Sequence, residues 1–343
     1  MINPLLSIIV AARNDNYGGD FIQRLQQCMD WNIKLLEKSR IQAEFVIVNW
    51  NPVTENKALE QLVSIPKNLN FVSCRVINVA HEIHEQYVNP EIRKTVPMFE
   101  FIAKNAGIRR SKGEYILCIN ADILVHPEIF EFIAAGKLNM CFYYRANRFD
   151  FKKESDTQTL QYLYRSGYAI SLKGFLYYFS TLPDKKIQYQ FLKSVNQLRI
   201  NFEFWKLRNK RWCDFLGISV TQDNASYQAH CHNSGDFMLM HRDYWNELKG
   251  YPEYTYISTH TDALFTIFAF AKLKEYVFAQ PVFHQEHERR YSWDAIKQET
   301  VFLEAYTKFE KIAQQIISGK PTSNFLNDES WGLQKFALTE IVI

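Results

Sequence analysis

Long hydrophobic runs are missing from this chain. Nowhere do roughly 18 uncharged apolar residues stand together, the length a membrane-spanning helix needs, so no segment reads as a span. The six cysteines, at 28, 74, 118, 141, 213 and 231, show no CxxC and no regular spacing, which points to a reducing compartment. The apolar start, MINPLLSIIVAARND, has no basic flank and no small-residue cleavage site. It therefore reads as a first core strand rather than a signal peptide. A formal charge of +3 is too small to imply nucleic acid. There is no GxGxxG, no internal repeat and no low-complexity tract. These absences leave a cytoplasmic protein without a nucleic-acid partner.

What is present is ordinary globular composition: 343 residues, 47% hydrophobic and 22% charged, enough chain for a large core. Aromatics reach 15% and are unevenly placed. Over the first 145 residues short apolar runs alternate with helical patterns. LLSIIVAA, AEFVIVNW, FVSCRVIN and EYILCIN read as strands. Between them, Phe21, Leu25, Cys28, Asn32 and Leu35 fall at helical spacing, a short helix is expected near Lys57–Ile65, and Pro97 and Gly113 bracket another. Continuously apolar strands alternating with helices imply a mostly parallel sheet covered on both faces. Ligands of such sheets bind beyond the carboxyl ends of the strands.

From Phe151 to Phe215 the texture changes. Twelve Lys and Arg stand against five Asp and Glu, a local charge of +7 that leaves −4 for the rest of the chain. Tyr, Phe and Trp are dense there, so the segment reads as an inserted helical subdomain. Its aromatics pack a core, stack on sugar rings, or meet an anionic membrane surface. The organisation expected is a donor half (1–145), an inserted basic and aromatic segment (146–229), an acceptor half (230–300) and a C-terminal helical tail (301–343).

Several stretches can carry chemistry. In GEYILCINADILVHPEIFEFI a core strand ends at Asn120 and Asp122, where a carboxylate can hold a divalent cation, reach a ribose hydroxyl, or cap the next turn. FHQEHERR presents His284 and His287 three apart, able to share a metal, though solvated loops carry such pairs too. In THTDALFTIFAFA, Thr259 or Thr261 can cap a helix whose first turn holds Asp262, a placement the helix dipole favours by itself. SGDFMLMHRDYW interrupts an apolar strand with Asp236, which needs a partner or a cleft. The loop AARNDNYGGD holds Arg13 and Asn14, and VNWNP holds Trp50 and Asn51, suited to a nucleotide base or to a turn. His81, His84, His230, Cys231 and His232 read as structural.

Taken in order, SIIVAARND, AEFVIVNWNP, KNAGIRRSKGEYILCINADILVHPEIFE, SGDFMLMHRDYWNELKGYPE and HTDALF…FHQEH resemble the GT-A glycosyltransferases of the family 2-like group, over about three-fifths of the chain. The resemblance implies a Rossmann-like α/β fold and transfer of a sugar from a nucleotide diphosphate, most simply a UDP-sugar, to a hydroxyl of a glycan or lipid-linked acceptor. It makes Asp122 the last Asp of a DXD-type motif that binds Mn2+ or Mg2+, with Asn120 in place of the first Asp. A histidine of FHQEH then supplies a further metal ligand, His284 ahead of His287. Arg13, Asn14 and Asn51 are implied at the base, and Asn105 and Arg109 near ribose and phosphate. Asp262 is implied as the base in an inverting reaction, with Asp236 and Glu253 as competitors or acceptor-positioning groups. Two alternatives stay open. One is a sugar-phosphate nucleotidyltransferase, poorly served by the AARNDNYGGD loop. The other is a non-catalytic nucleotide- or glycan-binding protein on a degenerate transferase fold.

Overall fold

The structure, a computed structural model, describes residues 3–88, 96–151, 233–255, 260–285, His287 and 300–343. Between 198 and 231 it also describes Leu198, 201–202, 205–206, 209–216, Ala229 and Cys231.

Four strands form a parallel block: β1 (Leu6–Ala12), β2 (Ala43–Trp50), β3 (Val72–Val79) and β4 (Tyr115–Cys118). Every residue of β1, β2 and β4 is buried, as expected for strands covered on both faces. Beyond β4 the sheet continues through β7 (Met238–His241), β6 (Phe142–Phe151), β8 (Lys274–Gln285) and β5 (Ile123–Val125). β9 (Thr339–Val342) adds to the other edge. The order is β5-β8-β6-β7-β4-β1-β2-β3-β9. β6 and β8 are parallel to each other, whereas β7, β5 and β9 join antiparallel, so the sheet is mixed and its parallel core is the first half of the chain.

Helices cover both faces. On one face lie α1 (Phe21–Lys38), the short α2 (Leu59–Leu62) and α5 (Pro127–Ala134). α1 buries Phe21, Leu25, Cys28 and Asn32, four of the five positions its spacing marks. On the other face lie α4 (Glu100–Arg110), α7 (Arg242–Glu247), α8 (Thr261–Phe270) and α9 (Thr300–Ile317). Trp245, Tyr251 and Phe265 stack in this second core at centroid separations of 4.7–5.3 Å. Each fully buried aromatic of this kind contributes roughly 1.5–3 kcal/mol. Two further helices, α3 (His81–Tyr87) and α6 (Lys210–Phe215), complete the set used here. α3 brings His84 Nδ1 to accept from Trp50 Nε1 at 2.9 Å, so Trp50 is a core residue and unavailable for stacking on a base.

Two boundaries differ from expectation. β6 crosses residue 145, because Phe142–Ala146 pair in register with Lys274–Phe278 and make this stretch part of the sheet. The segment after 300 is helical at first, but it does not stay peripheral. Trp331 and Leu333 enter the second core, and β9 pairs with β3. Most of the basic segment 151–215 lies outside the described residues.

Candidate active site

The register of the sheet explains why remote residues meet. His284 on β8 stands opposite Ile123 of β5 on one side and Asp150 of β6 on the other. Asp122 directly precedes β5, so its carboxylate arrives beside the His284 ring. Asp122 Oδ2 lies 3.6 Å from His284 Nε2 and 3.4 Å from His287 Nε2, and the ligand atoms of all three fall within 4.8 Å of one another. His284 Nδ1 is 2.7 Å from Asp150 Oδ1, at hydrogen-bond distance though off the favoured line of approach. A carboxylate behind the second ring nitrogen is the usual support for a metal-ligating histidine, because it leaves Nε2 as the ligand.

Asp122 is buried, and its Oδ1 has no hydrogen-bond partner. Its Oδ2 accepts from Arg24 Nη1 at 2.8 Å. An orphaned buried carboxylate oxygen is costly, and a cation is the partner that answers the cost. One carboxylate and two imidazoles are a donor set for a transition-series divalent ion, which tolerates nitrogen where magnesium prefers oxygen. The residues present therefore fit a bound metal.

A polar chain continues from this cluster. Asp150 pairs with Arg148 at 3.1 Å, and Arg148 Nη1 donates to Asp236 Oδ2 at 3.0 Å. Asp236 Oδ1 accepts from Asn120 Nδ2 at 2.8 Å. Asn120 Oδ1 in turn accepts from the fully buried ammonium of Lys104 at 2.6 Å. Lys104 also donates to Glu100 Oε1 at 2.7 Å and to the carbonyl of Gly235 at 3.0 Å. The amide of that same glycine donates to Asp262 Oδ2 at 2.6 Å. A Cβ at Gly235 would stand 3.3 Å from Asp262 Oδ2, so a glycine lets the backbone reach the carboxylate. Arg145, wholly buried on β6, donates to the carbonyls of Ser234 and Phe237 and fixes the turn that carries Gly235 and Asp236.

Asn120 thus has a task that an aspartate could not share. Its oxygen accepts from Lys104 while its amide donates to Asp236, and a carboxylate at 120 would instead face the Asp236 carboxylate. Burial pushes the Asp236 carboxyl up to about 6, against the opposing pull of Arg148 and His284. Asp262 is only partly buried and sits in the first turn of α8. The cap of α8 is His260, at φ 64 in the left-handed region, with no side-chain cap; Thr261 is the first helical residue, and Thr259 lies outside the described residues. A non-glycine residue held there costs on the order of 1 kcal/mol, and it sets the direction in which α8 presents Asp262.

Other expected residues go elsewhere. Asn105 Nδ2 donates to the Tyr251 carbonyl at 2.8 Å and to Glu253 Oε1 at 2.9 Å, and its Oδ1 accepts from the Tyr251 amide. Glu253 Oε1 also accepts from the Gly332 amide at 2.7 Å, and burial raises its pKa. Arg109 donates to the Trp331 carbonyl and lies over that indole. These three bind α4 to the C-terminal segment rather than to the Asp122 cluster. The reason is rotation: successive helix residues turn by about 100°, so Asn105 leaves the face that Lys104 occupies. Asn14 is likewise consumed, spanning Val53 and Lys57 with its amide and carbonyl. Arg13 donates to the Asn51 carbonyl and to Asp15, and Asn51 joins Pro97 and His81. They frame the loops after β1 and β2.

Arg24, Lys104, Arg148 and Asp150 escape the sequence reading. Arg24 with Asp20 and Lys104 with Glu100 are i,i+4 pairs, indistinguishable in sequence from pairs on a solvated helix face. A cavity of about 500 Å³ opens elsewhere, beside Glu247, Lys272 and Pro321, and no expected site residue lines it.

No protein-family model matches the chain, and no curated protein does. Solved structures do. S. aureus TarS 1–349 in complex with UDP-GlcNAc is 12% identical, over 93% of this chain and 68% of that one, with a TM-score of 0.47. The mannosyltransferase PcManGT from Pyrobaculum calidifontis, in complex with GDP-Man and Mn2+, is 12% identical over 94% and 78%, at 0.43. A second structure of S. aureus TarS 1–349 gives 11% identity over 93% and 76%, also at 0.43.

Proposed function

We propose that this chain is a metal-dependent GT-A-type glycosyltransferase. It moves a hexosyl or N-acetylhexosaminyl unit from a nucleotide diphosphate, a UDP-sugar by first choice, to a hydroxyl of a glycan or lipid-linked acceptor, with inversion. One observation carries the reading: a buried carboxylate with an orphaned oxygen, Asp122, meets His284 and His287 at the sheet end to which the Gly235 turn also brings Asp262. Asp122, His284 and His287 would hold the ion, Mn2+ in preference to Mg2+. Bound there, it would offset charge on the departing diphosphate.

The chain's own groups do the rest. Arg24 and Asp150 hold Asp122 and His284 in place. The Lys104–Asn120–Asp236 network ties the β4 end to the Gly235 turn, so the donor side and Asp262 form one rigid unit. Asp262 takes the proton of the acceptor hydroxyl, one oxygen anchored by the Gly235 amide and the other left to accept. Asp236, with both oxygens occupied, positions this turn. Arg13, Asn14 and Asn51 shape the loops that receive the nucleotide. The nucleotidyltransferase alternative is weaker, because Arg13 is spent on Asp15 and Asn51 and leaves no basic, glycine-rich cradle.

The basic segment favours an acceptor presented at an anionic membrane. Among its described residues Phe202, Trp205, Trp212 and Phe215 are exposed, Phe215 at 80%. The contact proposed is peripheral; no helix among the described residues is long and apolar enough to cross a membrane. Vesicles containing phosphatidylglycerol should pellet the protein in low salt and release it in high salt; failure to pellet removes this contact.

The central test is a donor screen with UDP- and GDP-sugars in the presence of Mn2+, scored by transfer and by donor hydrolysis. Turnover that EDTA abolishes supports the transferase. Metal-independent nucleotide binding without turnover of any donor would replace it with the binding protein.

A further inference from the structure

Arg24 is a resident positive charge inside the candidate metal site. Its guanidinium is buried at 4% exposure and donates from all three nitrogens: Nε to Asp20 at 2.8 Å, Nη1 to Asp122 at 2.8 Å, and Nη2 to the Tyr17 carbonyl at 2.7 Å. Tyr17 meets the His287 ring edge-on at 5.4 Å, so the same turn touches one ligand directly and reaches Asp122 through Arg24. We infer that Arg24 makes metal binding depend on the nucleotide; this rests on the metal site proposed above.

Two effects of Arg24 oppose each other. By fixing Oδ2 it holds Asp122 in one orientation and leaves Oδ1 as the oxygen that still needs a partner. By its charge, screened only in part by Asp20, it repels a second cation brought to the same carboxylate. In so buried a cluster the charge outweighs the orientation, and the protein alone holds divalent ions weakly. A diphosphate supplies the missing negative charge to Arg24 and to the ion together. Nucleotide and ion therefore reinforce each other, and reciprocally, as any thermodynamic coupling must. The donor then recruits its own cation, and without donor Arg24 offsets part of the charge of the two carboxylates it bridges, Asp20 and Asp122.

Manganese titrations followed by electron paramagnetic resonance test this, with UDP, then GDP, present or absent, and corrected for manganese that each nucleotide takes up by itself. Wild type should bind Mn2+ at least about tenfold more tightly with one of the nucleotides than alone. Arg24→Gln, which keeps a polar donor without charge, should bind Mn2+ more tightly alone and lose most of the enhancement. Asp20→Asn, which unscreens Arg24, should weaken Mn2+ binding alone. Circular dichroism checks the fold of both. If Arg24→Gln does not fold, Asp20→Asn decides, and unchanged affinity there overturns the inference. Manganese affinity in wild type indifferent to both nucleotides also overturns it, while leaving the metal site standing. No manganese binding under any condition removes the metal site and this inference with it.

Discussion

Two polar regions border α4, and they differ in how far they satisfy themselves. In the first, Asn105 and Glu253 are matched within the chain: Asn105 uses both ends of its amide, and Glu253 accepts from Asn105 and Gly332. Gly250 closes that bracket at φ 65, where a Cβ would overlap Asn105 Oδ1. Around Asp122 the accounts do not close. Asp122 Oδ1 is buried with no partner, and two imidazole nitrogens face its carboxylate. Buried polar groups are normally paired, so an unpaired one beside metal-competent side chains marks a place for a ligand, whereas a saturated network marks a brace.

The sharpest way to break this contrast is Asp122→Ala. Losing the ion's anchor should lower transfer on the order of 10⁴-fold, several kcal/mol of barrier, and abolish manganese binding. Asp262→Asn should come next, lowering kcat by roughly 10²–10⁴-fold while manganese affinity holds, which separates base from ligand. Near-normal rates in either variant exclude that residue.

Asp236 gives a pH signature. Its folded carboxyl titrates at about 6, above the value of 3.8 for an unperturbed group. Its protonated form is thus favoured by folding, and the associated stability is full below 3.8 and is lost as pH rises through about 6. Urea unfolding should show a decline of at most roughly 3 kcal/mol across that window, absent in Asp236→Asn. A flat profile in wild type would mean that Arg148 and Asn120 hold Asp236 ionised throughout. The smallest effect belongs to the closed region. Glu253→Gln keeps an acceptor for Asn105 and Gly332, so it should cost about 1 kcal/mol of stability and leave transfer and manganese binding intact. Loss of activity without loss of stability would move Glu253 into the reaction.

The same contrast shows what a sequence can disclose. Strand ends are legible, because an apolar run that stops at Asn120 and Asp122 marks the position, while several chemistries stay open for the carboxylate. His284 and His287 were visible as a pair, and Asp236 as a carboxylate interrupting apolar residues. Burial of a helix face at the sheet end was not visible, and it turns Arg24 and Lys104 from ordinary i,i+4 partners into parts of the site. Nor was the return of the C-terminal segment. Without it, Asn105, Arg109 and Glu253 resemble groups awaiting a ligand, when Trp331 and Gly332 already occupy them.

That return has a consequence beyond the site. β3 is an eight-residue strand, largely buried, and β9 covers its outer side over Arg75–Asn78, pinned by Arg75 to Glu340 at 2.6 Å. Trimming these few residues would strip the sheet's border and offer unsatisfied backbone to any neighbouring molecule. A clipped protein would be expected to cluster into oligomers before the surroundings of Asp122 changed at all.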